Sequence, residues 1–382
     1  MVMGTFPYIG GLAGGFMMDH LLNHFLWASK AGIQEKSIDL LVVGNDAADL
    51  DSMASAIAYA YARDAMDTGT TVVPFIPIAK ADFKLRTEAV YMFETAGIDT
   101  NHLVFTDDMT LGAAFDRITS VALVDHNTLS SVFSGYENKV TAILDHHQDE
   151  ACYPEAFPRI IESVGSAATL VGEMMLCHCP DRVDEQIALL LAGTILLDTV
   201  NLDYRAGRVT PKDETVAGEL MARCPVPRET LFTSVQDAKF DTEGFDTRDL
   251  LRKDYKAFTL GDLHYGIASV PLCVGQWLKQ DATLCREFEA FARRHRLDVL
   301  LSMNIYADPD FQRDLVMYCI DHAVHDALIG YLGKQGLGLS PIKTEGLMPC
   351  QTGRIDFYRQ KNLNISRKKI THMLAQYTTP LK

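Results

Sequence analysis

The amino-acid sequence predicts an α/β protein of two domains. The first is built on a mostly parallel, helix-covered sheet, and the second is a smaller C-terminal α/β domain. Three observations carry that expectation. From Ile38 to about Val200, short apolar runs alternate with helix-like segments, the pattern of a parallel sheet and its crossover helices. Three of those runs end in carboxylates. Composition then shifts between Asn201 and Pro227, where Arg205-Ala206-Gly207-Arg208 and Pro211, Pro225 and Pro227 cluster. A chain of 382 residues suits two or three domains.

The elements follow in order. Met18 to Ala31 has the pattern of an amphipathic helix, so residues 1–36 are expected to form a leader that packs on the first domain. Ile38 to Val43 reads as a buried strand, and Met53 to Ala62 as the helix after it. Thr71 to Ile76 reads as a strand, Lys84 to Ala96 as a helix, and His102 to Phe105 as a short strand. Val121 to Val124 and Thr141 to Leu144 read as strands that lead into Asp125 and Asp145. Ser166 to Cys179 and Asp184 to Asp198 read as helices. The first domain is placed at 37–210, a linker at 211–227 and the second domain at 228–382. In the second, Leu263 to Val270, Leu297 to Ile305 and Phe311 to Cys319 are expected strands. Ala282 to Arg296 and Asp321 to Leu332 are expected helices.

Composition narrows the function. With 35 basic and 50 acidic residues the net charge is −15, which argues against nucleic acid or a membrane surface as partner. An anionic substrate stays compatible, because bound cations and a local basic cluster reverse the field in a cleft. The apolar patch from Phe6 to Met18 is broken by Pro7 and lacks a basic leader, so neither a secretory signal nor a membrane span is expected. Eight scattered cysteines suit a reducing compartment. Cys177-His178-Cys179 is read as buried helix packing rather than zinc, since no second pair has the required spacing. The cytoplasm is the expected location, with a storage organelle left open.

The chemistry is concentrated at the carboxylate-ended turns. Gly44-Asn45-Asp46-Ala47-Ala48-Asp49-Leu50-Asp51 joins a strand to a helix, and in a parallel sheet such turns lie at the ligand-binding carboxyl edge. Asp49 or Asp51 alone would be an ordinary helix cap. Asp49, Asp51, Asp125, His146 and Asp198 together supply the oxygen-rich, imidazole-containing set that suits Mg²⁺ or Mn²⁺. A carboxylate bridging two such ions gives a pair that activates water and clamps a phosphoryl group.

These segments resemble a known family. Asn45 to Asp51, Asp125-His126-Asn127, Asp145-His146-His147 and Asp198 look like motifs I to IV of the DHH phosphoesterase superfamily. The second half resembles the DHHA2 domain, with Asp254-Tyr255-Lys256 and Ser366-Arg367-Lys368-Lys369 matching its substrate-binding basic elements. Within that group the chain most resembles eukaryotic exopolyphosphatases, with family II pyrophosphatases and prune-type phosphodiesterases as relatives. The resemblance implies a metal-dependent phosphoanhydride hydrolase whose active site lies in the interdomain cleft. Its expected substrate is inorganic polyphosphate or another small phosphoanhydride. It implies that Asp49 and Asp125, with Asn45, hold one ion, and that Asp51, Asp125, His146 and Asp198 hold the other. His147, Lys256, Ser366, Arg367 and Lys368 would bind phosphate oxygens, Asp145 would support the histidine pair, and Asp125, His146 and His147 would serve catalysis. Family II pyrophosphatases carry a metal-binding His where this chain has Asn45, a departure that lowers the expectation of a dedicated pyrophosphatase.

By its own pattern Asn364 to Leu374 reads as a capped helix, with Asn364 or Ser366 as N-cap. Cations in its first turn oppose the helix dipole, which makes sense where an anion binds between them and the free N–H groups. Arg354, Arg359 and Lys361 lie nearby in sequence. Arg293-Arg294-His295-Arg296 ends a helix, where cations suit the dipole, or lines a channel for a long polyanion. No Walker A pattern occurs. The alternatives are a prune-like phosphodiesterase or short-chain phosphatase, and a polyphosphate- or protein-binding module without catalysis.

Overall fold

In the computed structural model, residues 21–35, 37–67, 69–307, 309–344 and 346–377 are described. The chain divides into two compact units, Met1–Lys239 and Phe240–Lys382. Unit 1 runs α1 (Leu21–Glu35), β1 (Ile38–Val43), α2 (Leu50–Met66), β2 (Val72–Ile76), α3 (Lys80–Phe83), α4 (Thr87–Thr95), β3 (Val104–Phe105), α5 (Leu111–Ala114), β4 (Ile118–Val124), β5 (Val140–Asp145), β6 (Arg159–Ile161), α6 (Ala167–His178), α7 (Glu185–Asp198), α8 (Pro211–Met221) and α9 (Arg228–Phe240).

The sheet order is β3-β2-β1-β4-β5-β6, and every pairing is parallel. Parallel sheets are buried on both faces, and the strands show it. Leu40, Val42, Ala122, Val124, Ala142 and Leu144 face a core shared with α1, α2, α6 and α7. Leu41, Val43, Val121, Leu123 and Ile143 face a second core closed by Met109, Ala114 and Phe133. Helix α7 is apolar all round and buried from Gln186 to Leu197, as a central helix should be. Strand order reverses between β1 and β4, so the loops leaving those two strands form the switch-point crevice where α/β sheets bind ligands.

Unit 2 runs α10 (Thr247–Lys253), β7 (Tyr255–Leu260), β8 (Leu263–Val270), α11 (Val274–Gln280), α12 (Leu284–Arg294), β9 (Val299–Ala307), β10 (Phe311–Cys319), α13 (His322–Lys334), β11 (Leu339–Pro341), β12 (Arg354–Gln360) and α14 (Arg367–Ala375). Its mixed sheet has the order β11-β12-β10-β9-β8-β7, with β8–β9 the parallel pair. Residues of α13 and α14 pack on one face, and those of α10, α11 and α12 on the other.

Several expectations need correction. The segment expected to be a linker, 211–227, begins with α8, whose Val216, Ala217 and Leu220 join the core of unit 1. Thr210 and Asp213 form a capping box around Pro211 at the first helical position, so a proline read as a breaker starts a helix. The helix expected from Lys84 starts at Thr87, after the separate turn α3. Strands β7 and β12 were not anticipated, because their cations read as surface charge. Cys177 and His178 end α6 exposed to solvent rather than buried. Cys285 and Cys350 are joined in a disulfide, where a reducing compartment predicts free thiols. The leader helix is seen from Leu21, with Leu22, Phe25 and Leu26 in the core. The expectations for residues 1–20 lie outside the described residues. No helix among those described is long and apolar enough to cross a membrane.

Asp213 ties this architecture to the loop before α6. It is fully buried and accepts from the Gly165 amide at 2.9 Å, the Thr169 hydroxyl at 2.6 Å and the Thr210 amide at 2.7 Å. A Cβ at Gly165 would lie 3.0 Å from the Arg208 carbonyl oxygen, so the backbone approach needs glycine. Asp213→Ala removes a cap and strands a buried N–H. It should cost about 2–4 kcal/mol, read as a lower melting temperature for the transition of unit 1. A loss below about 0.5 kcal/mol would show that this carboxylate does not anchor the loop.

Candidate active site

The crevice is built from the ends of β1, β4 and β5 and the facing ends of α2, α6 and α7. Gly44 lets the chain leave β1 tightly, since a Cβ there would collide with the side chain of Ser52 and come within 2.9 Å of its carbonyl oxygen. Asp49 caps α2 by accepting from the Ser52 amide at 3.1 Å, using one carboxylate oxygen. Arg86 donates to the carbonyls of Ala47 and Ala48 at 2.9 and 3.1 Å and fixes the loop from outside.

Asp51 is 4% exposed and points at another helix. Its two oxygens accept from the Ala167 and Ala168 amides at 2.7 and 2.9 Å, and Ser55 donates to it at 3.0 Å. The carboxylate thus caps α6 in trans, where the helix dipole favours a negative charge. Asp198 has the opposite situation. It is the last residue of α7, at the negative end of that helix, and its Oδ2 is buried with no hydrogen-bond partner. Burial pushes its carboxyl well above the usual range, and the charges of Asp51 and Asp49 add to the effect.

Asp125 follows β4 with φ 64°, in the left-handed region that a non-glycine residue enters at a cost. That backbone turns its carboxylate into the crevice, where it is 2% exposed. Burial, reinforced by the Asp51 charge, pushes its carboxyl up to about 8. Burial pushes the Asp51 carboxyl up as well, against the opposing pull of His146. His146 donates from Nδ1 to the Val164 carbonyl at 3.0 Å, which leaves Nε2 facing Asp125 at 3.3 Å and Asp51 at 3.8 Å. Burial works against a proton there, yet the bond to Asp125 and the charge of Asp51 push His146 up to about 10.

Asp145 is fully buried. It accepts from His147 Nδ1 at 2.8 Å, from the His146 amide at 2.8 Å and from Asn127 at 2.5 Å. Burial would raise its carboxyl, but the bonds from His147 and Asn127 outweigh it and hold it below the usual range. The His147 ring is fixed with Nε2 free on a side chain 56% exposed. Asn45 donates to the carboxylate of Asp125, while its own Oδ1 accepts from the Ala47 amide at 2.8 Å. In this arrangement Asn45 bridges Asp125 and the Ala47 amide. A cavity of about 280 Å³ opens beside these groups, lined in part by Asn45, Asp125, His147, Gln148 and Glu150.

In unit 1 the fold therefore gathers Asn45, Asp49, Asp51, Asp125, Asp145, His146, His147 and Asp198 around one crevice. Ligand atoms of Asp125, His146 and His147 all lie within 4.8 Å of one another. The remaining candidates belong to unit 2. Lys256 is exposed on β7, Ser366 precedes α14 without a side-chain cap bond, and Lys368 is exposed in its first turn. Arg367 pairs with Asp254 at 2.7 Å and donates to the Asp254 carbonyl at 2.8 Å. Sequence reasoning missed Arg86 and Asp213 and gave Asn127 no role, because each acts on a loop far away in the chain.

The donors fit a hard divalent cation. Carboxylates and one imidazole converge, the Nδ1 bond to Val164 turns Nε2 of that imidazole toward the carboxylates, and the unpartnered Asp198 oxygen lacks what a cation supplies.

Comparison with known proteins places this arrangement. The DHH family, N-terminal domain, matches residues 39–195, and the DHHA2 domain matches 233–377. The chain is 33% identical to exopolyphosphatase PRUNE1 of Mus musculus over 365 residues, covering 93% of this chain and 79% of that one. The chain belongs to the DHH family. It is also 31% identical to a candidate exopolyphosphatase of Schizosaccharomyces pombe over 87% of this chain and 89% of that one. A manganese-dependent inorganic pyrophosphatase named in Archaeoglobus fulgidus shares 27% identity over 60% of this DHH-family chain and 70% of its own. The fold resembles a crystal structure of a candidate family II inorganic pyrophosphatase from Methanococcus jannaschii. That match has a TM-score of 0.52 at 18% identity and covers 88% of this chain and 99% of that one.

Asp198→Asn removes one of the crowded charges. The metal-free protein should melt at a higher temperature than the parent. The rise in melting temperature on adding Mn²⁺, worth about 2.7 kcal/mol at a hundredfold excess over Kd, should shrink. An unchanged Mn²⁺ response would exclude Asp198 as a ligand.

Proposed function

We propose that this protein is a metal-dependent exopolyphosphatase that hydrolyses the terminal phosphoanhydride of inorganic polyphosphate and releases orthophosphate. The observation that carries this reading is the unpartnered, buried Asp198 oxygen among Asp49, Asp51 and Asp125, a crowding of carboxylates that a bound cation would relieve. The exopolyphosphatase names of relatives that align over most of the chain support the substrate class.

Bound Mg²⁺ or Mn²⁺, two ions in this proposal, would activate water and draw charge from the phosphoryl oxygens. Asp49 and Asp125 would hold one ion, and Asp51, Asp125, His146 and Asp198 the other. The Val164 carbonyl keeps the His146 ring in the ligating orientation. Asn45 holds Asp125 in place. Asp145 fixes the His147 ring, and its Nε2 would meet a phosphate oxygen. Lys256, Arg367 and Lys368 would offset the charge of the leaving chain, with Ser366 and the first amides of α14 as further donors. Hydrolysis of pyrophosphate or tripolyphosphate is a second reading, favoured by the alignment with a relative named as a manganese-dependent pyrophosphatase.

Orthophosphate release measured with Mg²⁺ or Mn²⁺ across chain lengths tests both readings. Activity that rises from pyrophosphate to long chains supports the first. Activity confined to pyrophosphate supports the second, and none on any chain removes both. Asp125→Ala should lower kcat by well over tenfold, more than about 1.4 kcal/mol in the barrier, in a protein that still folds. Retention of more than about a tenth of kcat would overturn the role of Asp125. Arg367→Ala should raise KM for polyphosphate and leave the Mn²⁺-induced gain in melting temperature intact. Loss of that gain with unchanged KM would place Arg367 at the metal rather than the phosphate.

A further inference from the structure

Helices α10 and α12 bring a group of cations together in unit 2 that the proposed chemistry does not use. Arg248 and Arg252 lie on α10, Arg294 is the last residue of α12, and His295 caps it. The His295 ring stacks on Phe291 at 4.3 Å and leans on Tyr255 of β7 at 5.2 Å. Burial holds the imidazole below its usual range, and the charges of Arg294, Arg252 and Arg248 push it the same way. The Arg252 guanidinium is likewise lowered, by burial and then by Arg294. The three arginines therefore all lie within electrostatic reach of His295, and Arg294 within reach of Arg252.

Counter-charge is sparse. Asp249 faces Arg252 at 3.8 Å, and Glu289 is engaged by Arg293 at 3.0 Å. Among the described residues, neither Arg248 nor Arg294 has an ion-pair partner. Both are exposed. In a chain of net charge −15, a group of positive charges in which Arg248 and Arg294 have no ion-pair partner among the described residues is the exception.

Its place in the sheet gives it a meaning. β7 is an edge strand, and its side chains alternate between faces. Tyr255 packs on the face of α12, whereas Phe258 and Leu260 pack on the face of α13 and α14. Lys256 shares the second face by alternation, and Asp254 immediately before it holds Arg367. The start of β7 thus carries Lys256 and Arg367 on one side and the arginine group on the other.

We propose that Arg248, Arg252, Arg294 and His295 form a second polyanion-binding surface that holds the body of a long polyphosphate chain whose end is bound at Lys256 and Arg367. This rests on the exopolyphosphatase reading for the identity of the anion. Arginine suits the task, because its planar donors match phosphate oxygens and it remains charged. The surface favours long chains over short ones, since a pyrophosphate or tripolyphosphate engages only the first site.

The test uses the full-length Asp125→Ala protein, which separates binding from turnover. Equilibrium binding of long-chain polyphosphate and of tripolyphosphate is measured over a range of salt, with and without the added pair Arg248→Ala and Arg294→Ala. Both arginines are exposed, and melting temperatures confirm that the variants fold. Long-chain affinity should fall on the order of tenfold for the two lost charge contacts, with a shallower salt dependence, while tripolyphosphate binding stays the same. Unchanged long-chain affinity would overturn the proposal, as would an equal loss for tripolyphosphate. Binding of single-stranded RNA as tightly as polyphosphate, lost in the same variant, would also overturn it. Orthophosphate release by the wild type is read separately. If release is absent but the arginine-dependent binding persists, the catalytic reading fails and the surface stands.

Discussion

Carboxylates crowded at one crevice, with Asp51 and Asp125 buried, Asp198 partly so and Asp49 at its exposed rim, are the constraint around which unit 1 is organised. Asp49, Asp51, Asp125 and Asp198 come from two different turns and the end of one helix, and the charges of Asp49 and Asp51 raise the cost of ionising their neighbours. Left alone, the crevice retains protons. Asp125 and His146 both hold theirs far more tightly than free side chains do. A divalent cation competes with those protons for the same oxygens, so metal binding and proton release are coupled.

The scaffold keeps the carboxylates in place by giving each a different anchor. Asp49 is tied to its own helix, Asp51 to the start of α6, and Asp125 to Asn45 and a left-handed backbone. Asp198 is carried by the most buried helix of the unit, which leaves it little freedom to swing toward solvent. The histidines are aimed through their Nδ1 atoms, one by a carbonyl and one by Asp145, so both rings present Nε2. The outcome is a set of side chains held in fixed positions, which would lower the reorganisation needed if they bind ions as proposed.

Much of this was legible in the sequence because the ligands follow apolar runs. Leu40 to Val43, Val121 to Val124 and Ala142 to Leu144 announce buried strands, and the carboxylate after each must lie at the sheet edge. Asp198 was legible as the end of an apolar helical run. The supports were not. Asp51 meets Ala167 across 116 residues and Asp213 meets Gly165 across 48, and no local pattern reports such pairings. Asn45 was singled out only by its place in the motif. Its hydrogen bonds to Asp125 and Ala47 could be seen only once β1 and β4 were placed side by side. The division between units was misplaced for a physical reason too. Prolines at 211, 225 and 227 suggested an extended connection, but the first opens a capped helix that the core of unit 1 requires.

The trans-cap made by Asp51 bears on how sensitive this site is to apparently mild change. Both carboxylate oxygens accept from backbone N–H groups, one from Ala167 and the other from Ala168. An asparagine has nearly the same shape, yet one end of its amide is a donor. Whichever way it turned, an NH₂ group would face a backbone N–H, donor against donor, in a place water does not reach. Glutamate keeps the charge but adds a methylene that the tight packing around Ser52 and Ser55 does not accommodate without movement. Position 51 therefore tolerates neither the neutral isostere nor the longer acid. The start of helix α6 depends on these two oxygens, and under the proposed ligand set a cation would depend on them too.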